Sequence, residues 1–138
     1  MLRTLAGLVP DLAPLYDSHR VVVAPTRFAA GTPYKVYEVA SYGVPVVATS
    51  LLREQLDWTE GAELLAADID DPSGFAARVV ALYRSEVLWN QVREAAMSRL
   101  RRDNGREAYA QTIRSLLPVH DACDDRRAPL GSAGEESR

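Results

Sequence analysis

The amino-acid sequence predicts an α/β fold, a partial Rossmann-like parallel sheet followed by C-terminal helices. Two apolar runs, Val21–Ala24 and Val46–Ala48, are predicted to be strands. A glycine-bearing loop and a helix that opens at Pro33 lie between them. A strand, a helix and a second strand at this spacing form one βαβ unit, in which the two strands are parallel. The first run has no polar residue, which is typical of a fully buried strand.

The segment before this unit is predicted to contain a strand and a short helix. Residues 1–9 are largely apolar with one basic residue, and we predict a strand that ends near Gly7. A signal peptide is the alternative for this stretch. A short helix is predicted from Asp11 to Tyr16, with Leu12 and Leu15 facing inward.

Five further elements are predicted after the βαβ unit. They are a helix at 51–56, a strand at 62–66, a helix from Pro72, a helix from Ser85 and a last helix that ends at Pro118. Asp71 is the expected N-cap of the Pro72 helix, and the hydroxyls of Thr49 and Ser50 are expected to cap the helix at 51–56. On the helix from Ser85 we expect an apolar side with Trp89, Val92, Ala96 and Leu100, and a water-facing side with Arg93, Glu94, Arg101 and Arg102.

The loop and helix between the two strands carry the residues with clear chemical potential. Gly31 lets the backbone turn freely and leaves room for a bulky diphosphate. The hydroxyl of Thr32 is expected to cap the helix, with Pro33 at the first helical position. Unpaired N–H groups at a helix start attract anions, and ligands of such folds lie beyond the carboxyl ends of the strands. The segment therefore predicts an anion site.

Lys35 and Glu38 stand three residues apart on the same helix, so they share one helical face. A carboxylate at Glu38 can accept hydrogen bonds from both hydroxyls of a ribose. The alternative is an ordinary surface helix on which Lys35 and Glu38 pair with each other. For an isolated short motif this alternative is the more frequent outcome.

The ordered pattern from residue 5 to about residue 117 resembles the donor-binding, C-terminal domain of GT-B glycosyltransferases of the family 4 type (glycosyltransferase group 1). The shared positions are Gly7, Val9, Asp11, Leu12, Ala24, Pro25, Gly31, Pro33, Lys35, Glu38, Gly43, Pro45, Val46, Val47, Ala48 and Thr49. The resemblance implies that Glu38 holds the ribose, that Gly31 and Thr32 meet the diphosphate and sugar, and that Lys35 adds positive charge. It also implies transfer of a glycosyl group from a nucleoside-diphosphate sugar to an acceptor, with retention at the anomeric carbon.

One position departs from the pattern of the resembled family. Many of its members have another glutamate eight positions before the ribose glutamate, where it contacts the transferred sugar. This chain has Ala30 there, and a methyl group cannot hydrogen-bond a sugar hydroxyl. The contacts to the sugar are therefore expected to differ from those of such members.

Residues 1–118 are expected to form the latter part of a GT-B C-terminal domain, and residues 119–138, rich in Asp, Arg, Gly, Ser and Glu, a disordered tail. A GT-B enzyme also needs an N-terminal acceptor domain, for which 138 residues leave no room. We therefore expect a fragment that is inactive alone, with a separate acceptor-domain chain as its partner and no catalytic residue assigned. The alternative is a non-catalytic remnant, or a module that docks onto a partner, with weak or no nucleotide binding.

Charge and composition disfavour several other classes of protein. The net charge is −3 and the arginines are scattered, which disfavours nucleic acid as a partner. No run approaches the roughly 18 apolar residues of a transmembrane helix. A lone Cys123 excludes an internal disulfide and favours a cytoplasmic location.

Neither a metal nor a cofactor is expected. The string Asp68-Ile69-Asp70 matches a metal-binding Asp-x-Asp motif, but three residues are a weak signal and Asp71 beside it is better explained by helix capping. No Gly-x-Gly-x-x-Gly or P-loop motif occurs in the chain.

Overall fold

The computed structural model describes residues 6–116, which alternate between short strands and helices. In chain order the elements are α1 (Ala13–Ser18), β1 (Val22–Ala24), α2 (Tyr34–Ser41), β2 (Val46–Thr49), α3 (Ser50–Leu56), β3 (Leu65–Ala67), α4 (Pro72–Arg84), α5 (Glu86–Asn104) and α6 (Arg106–Leu116). This order confirms the predicted α/β class with helices following the sheet.

The three strands form one parallel sheet in the order β1-β2-β3. Val22 lies opposite Val46, and Val47 lies opposite Leu65. The predicted βαβ unit is therefore confirmed, with β1 and β2 as parallel neighbours and α2 between them in the chain. The carboxyl ends of all three strands meet at the same edge of the sheet.

Alternate residues of β2 supply two buried clusters, as the twofold period of a strand requires. Val46 and Ala48 belong to a cluster with α2, α3 and Trp58, and Ala96 of α5 is also part of it. Val47 belongs to the cluster on the other side, which contains Leu65, Leu82, Val92 and, partly buried, residues of α4 and α5. Helices thus cover both faces of the central strand.

Strand β1 differs from the expectation of a fully buried strand. Ala24 is buried, but Val23 is 49% exposed. The reason is that β1 lies at one edge of the described sheet, where fewer side chains cover it. No strand is present at 6–9 either, where Leu8 is 97% exposed, and residues 1–5 of the predicted first strand lie outside the described residues.

Helix α1 and strand β3 are each shifted from their predicted positions. Helix α1 begins after Asp11, whose carboxylate accepts the N–H of Ala13 at 3.0 Å. Tyr16 packs against the core, whereas Leu15 is exposed instead of facing inward. Strand β3 begins at Leu65 because residues 61–63 form a turn, in which Gly61 N–H donates to Leu64 O.

The predicted Asp71 cap of α4 is confirmed, whereas one arginine of α5 that was expected to face water is half-buried. Asp71 accepts the N–H of Gly74 at 2.8 Å and Ser85 accepts that of Leu88 at 3.2 Å. Arg93 of α5 is half-buried: its Nε donates to Gly43 O at 3.1 Å, and its guanidinium lies over the ring of Trp89. The helical spacing could not show that a backbone carbonyl faces this position.

Helix α6 belongs to a second compact unit, which begins at Arg106. Tyr109 and Ile113 are four residues apart on it, as predicted for one helical face. The expected helix end at Pro118 and the expected tail at 119–138 lie outside the described residues. Among the described residues, no helix has both the length and the apolar character to span a membrane.

Candidate functional site

The carboxyl ends of β1 and β2 are joined by a side-chain hydrogen bond. The hydroxyl of Thr49, which is buried, donates to Thr26 O at 2.9 Å. Thr49 occupies the N-cap position of α3, but its hydroxyl does not make the expected capping hydrogen bond. Ser50 donates to Asp68 Oδ1 at 2.6 Å instead of capping. Both hydroxyls thus fix the edge of the sheet where a ligand of this fold would bind.

The start of α2 is built by main-chain carbonyls instead of the Thr32 hydroxyl. Helix α2 begins at Tyr34, with Pro33 at the N-cap and no side-chain cap, so the expected Thr32 cap is wrong. Thr32 O accepts the N–H of Tyr34 at 2.8 Å, and Pro33 O accepts that of Val36 at 2.9 Å. The turn thus satisfies these helix donors without the Thr32 side chain, and Thr32 is exposed.

Gly31 leaves backbone donors open beside this helix start. Its φ is +80°, a left-handed conformation that favours glycine, and a Cβ there would meet nothing within 4 Å. Within residues 6–116, the N–H groups of Gly31 and Thr32 donate no hydrogen bond. Both residues are exposed, so these N–H groups are available to an anion.

A first cleft, of about 290 Å³, lies between this loop and α2. Gly31, Thr32 and Lys35 all line it, together with Thr26 and Ala30. The Nζ of Lys35 donates to Thr26 Oγ1 at 2.7 Å, which holds the ammonium group at the end of β1. The cleft thus combines an ammonium group and open N–H donors, the groups that bind phosphate oxygens.

Glu38 lies on the wall of a second cleft, of about 530 Å³, formed by α2 and the end of α5. Thr32 and Tyr34 line both clefts, so the two are adjacent. The structure therefore brings Gly31, Thr32 and Lys35 together and leaves Glu38 next to them. Among the described residues Lys35 and Glu38 form no ion pair, because Lys35 is directed to Thr26.

Tyr16 of α1 is a neighbour of Glu38 that sequence reasoning missed. Its ring lies 5.0 Å from that of Tyr42, which follows α2 one turn after Glu38. Burial raises the pKa of Tyr16, and so do the negative charge of Glu38 and a hydrogen bond to it. Tyr16 and Glu38 are 22 positions apart, so no local spacing relates them. Thr26 was also missed, although its place two residues after β1 was a usable signal.

The remaining candidate positions do not form a metal site. Ala30 lines the first cleft, where it presents only a methyl group. Asp68 accepts a hydrogen bond from Ser50, and Asp71 caps α4. Within the described part of the chain, no group of three or more His, Cys, Asp or Glu side chains could hold a metal ion.

The fold is a Rossmann-like α/β domain, and its first cleft lies at the start of α2. Residues 3–85 match the family model described as Glycosyl transferases group 1. That match spans more than half of the 138 residues, and the chain belongs to this GT-B-type glycosyltransferase family. No curated protein and no solved structure gives a significant match.

Proposed function

We propose that the chain provides the donor site of a glycosyltransferase, which binds a nucleoside-diphosphate sugar for transfer of the glycosyl group to an acceptor. The observation that carries the proposal is the first cleft. It is lined by Lys35 and by Gly31 and Thr32, whose backbone N–H groups have no partner within residues 6–116. Family membership supports glycosyl transfer as the reaction class. The cleft supplies the chemistry for the donor's diphosphate.

The departing diphosphate is the group that this cleft would stabilise. As the glycosidic bond breaks, negative charge develops on the leaving phosphate oxygen. Fixed N–H donors at Gly31 and Thr32 and the ammonium of Lys35 would interact with that charge more strongly than with the intact donor. The hydrogen bond to Thr26 limits the motion of Lys35 before the donor arrives.

Glu38 would anchor the ribose in this proposal. The second cleft, which Glu38 lines, shares Thr32 and Tyr34 with the first. A nucleotide whose diphosphate lies at Gly31 could therefore extend along α2 toward Glu38. Glu38 is exposed and forms no ion pair with another described residue, so its carboxylate is open to two ribose hydroxyls.

We further propose that the reaction retains the anomeric configuration and that an N-terminal GT-B domain binds the acceptor, as the family resemblance implies. We also propose that the protein acts in the cytoplasm. Residues 1–118 would form the donor-binding domain.

Calorimetric titration with several nucleoside diphosphates tests the site. Replacing Glu38 by Gln should weaken binding by about 1.5–3 kcal/mol, the range for hydrogen bonds to a charged group. The fold should be nearly unaffected, because the side chain is exposed. The matched control is Glu94→Gln, which changes an exposed helical glutamate of α5 and should leave affinity unchanged.

Two results would count against the proposal. Equal affinities of wild type and Glu38→Gln for every nucleotide would remove the ribose role of Glu38. Absence of binding by the wild-type chain to any nucleoside diphosphate would favour the non-catalytic alternative.

A further inference from the structure

Tyr16 is held against the face of α2 that carries Glu38. Its ring is partly buried against the main core cluster and lies at 42° to the ring of Tyr42, with centroids 5.0 Å apart. Tyr42 is four residues after Glu38, so the two lie on one side of the helix end. The N–H of Tyr42 also donates to Glu38 O at 3.3 Å. The packing of Tyr16 on Tyr42 therefore holds the Tyr16 ring beside the end of α2, about one turn from Glu38.

The chemistry of this neighbourhood makes Tyr16 a hydrogen-bond donor. Burial raises the pKa of its hydroxyl above the ordinary value, and the nearby charge of Glu38 and a hydrogen bond to it act in the same direction. The phenol is therefore protonated at neutral pH, and its proton is directed to a carboxylate that can only accept. Without such a partner, an exposed glutamate samples several rotamers, and ordering it on binding costs conformational entropy.

We propose that Tyr16 is a positioning residue for nucleotide recognition: its hydroxyl holds the Glu38 carboxylate in the orientation that accepts the two ribose hydroxyls. The inference rests on the proposed ribose role of Glu38. A carboxylate has about four lone-pair sites, so one hydrogen bond from Tyr16 leaves enough acceptors for a ribose diol. Tyr16 itself does not touch the ligand in this arrangement.

The test is the substitution Tyr16→Phe, which removes the hydroxyl and keeps the ring that packs on Tyr42. Affinities are measured for uridine and guanosine diphosphates and for their 2′,3′-dideoxy analogues. We expect the variant to bind the ribonucleotides about tenfold more weakly, the effect of roughly one lost charge-assisted hydrogen bond. Affinity for the dideoxy analogues should not change, because they have no diol for Glu38 to hold.

Tyr42→Phe is the matched control, since it removes the other hydroxyl of the same ring pair. It should leave both affinities at their wild-type values. A Tyr16→Phe variant that keeps the full preference for ribonucleotides would overturn the positioning role and leave the donor site standing. A wild-type chain without that preference would instead overturn the ribose role of Glu38 and, with it, this inference.

A second measurement tests the Tyr16–Glu38 contact without any nucleotide. The ring Cζ resonance of Tyr16, assigned by its loss in Tyr16→Phe, is titrated by NMR in wild type and in Glu38→Gln. Removing the carboxylate charge should lower the pKa of Tyr16 toward its ordinary value of 10.0. An unchanged midpoint would show that the two side chains do not interact, and would overturn the proposal.

Discussion

Gly31 and Gly61 have nearly the same backbone conformation and equally open surroundings, so they can be compared as a pair. Their φ angles are +80° and +78°, and a Cβ on either would meet no atom within 4 Å. Alanine at either site should therefore cost about 1 kcal/mol of folding free energy, from backbone strain alone. Only Gly31 lines the first cleft, so only Gly31→Ala should also weaken nucleoside-diphosphate binding, by severalfold.

Thermal unfolding and calorimetric titration of the two alanine variants separate strain from binding. If both variants show a similar drop in melting temperature and only Gly31→Ala loses affinity for nucleoside diphosphates, the result supports binding of the diphosphate at Gly31. A similar loss of affinity in both variants would mean that general destabilisation, and not the cleft, is responsible.

Residues adjacent in the chain were easier to group from sequence than residues that only tertiary packing brings together. Gly31, Thr32 and Lys35 were predictable as one group because they are adjacent in the chain and follow a strand. The Thr32 cap was wrong, since carbonyls of its own turn take the helix donors. Tyr16 could not be found at all, because only the packing of α1 brings it to α2.

At the scale of elements, Arg99 connects α5 to the segment between α3 and β3. Its guanidinium forms an ion pair with Asp103 on the same helix and lies 3.7 Å from Asp57 and 3.9 Å from Glu63. Replacing Arg99 by Met should lower the free energy of unfolding by about 1 kcal/mol at neutral pH, because one cation serves three carboxylates. Arg101→Met is the control, since Arg101 forms no ion pair among the described residues.

The contribution of Arg99 should depend on pH in a defined direction. A hydrogen bond from Arg99 lowers the pKa of Asp103 below its ordinary 3.8, and the nearby positive charges add to this effect. Stability from the pair is therefore present above that ordinary pKa and is lost as the pH falls through the lowered one. Melting curves from pH 7 to pH 2 should show the gap between wild type and Arg99→Met closing only in acid. A constant gap would mean that Arg99 acts through packing.

The type of an element could be predicted where an apolar run had clear boundaries. The exposure of individual side chains could not be predicted. β1 and β2 and their parallel pairing followed from two short apolar runs and the helix between them. The exposure of Val23 did not follow, because it depends on which strand lies at the edge of the sheet. Arg93 shows the same limit, since its partner, Gly43 O, is 50 residues away.

For the whole molecule, the parallel sheet explains why the candidate groups gather at one edge. The strand ends at Ala24 and Thr49 are neighbours in the sheet, and the segments that follow them carry Thr26 and Ser50. The bond from Thr49 to Thr26 O, and that from Lys35 to Thr26 Oγ1, then connect both strand ends to α2. The order of the strands thus determines which distant residues share the first cleft.

Residues 119–138 lie outside the described residues, and we expect them to contribute little to the stability of the domain. Their composition is mostly polar and charged, so their removal should expose or lose little apolar area. A chain that ends at Pro118 should keep the circular-dichroism spectrum and should melt within about 2 °C of the full chain. Leu82→Ala is the sensitivity control. Because the Leu82 side chain is fully buried, its truncation should lower the free energy of unfolding by about 2–5 kcal/mol and the melting temperature by many degrees. A comparable drop on truncation would show that residues 119–138 pack against the domain, and the domain boundary at 118 would then be wrong.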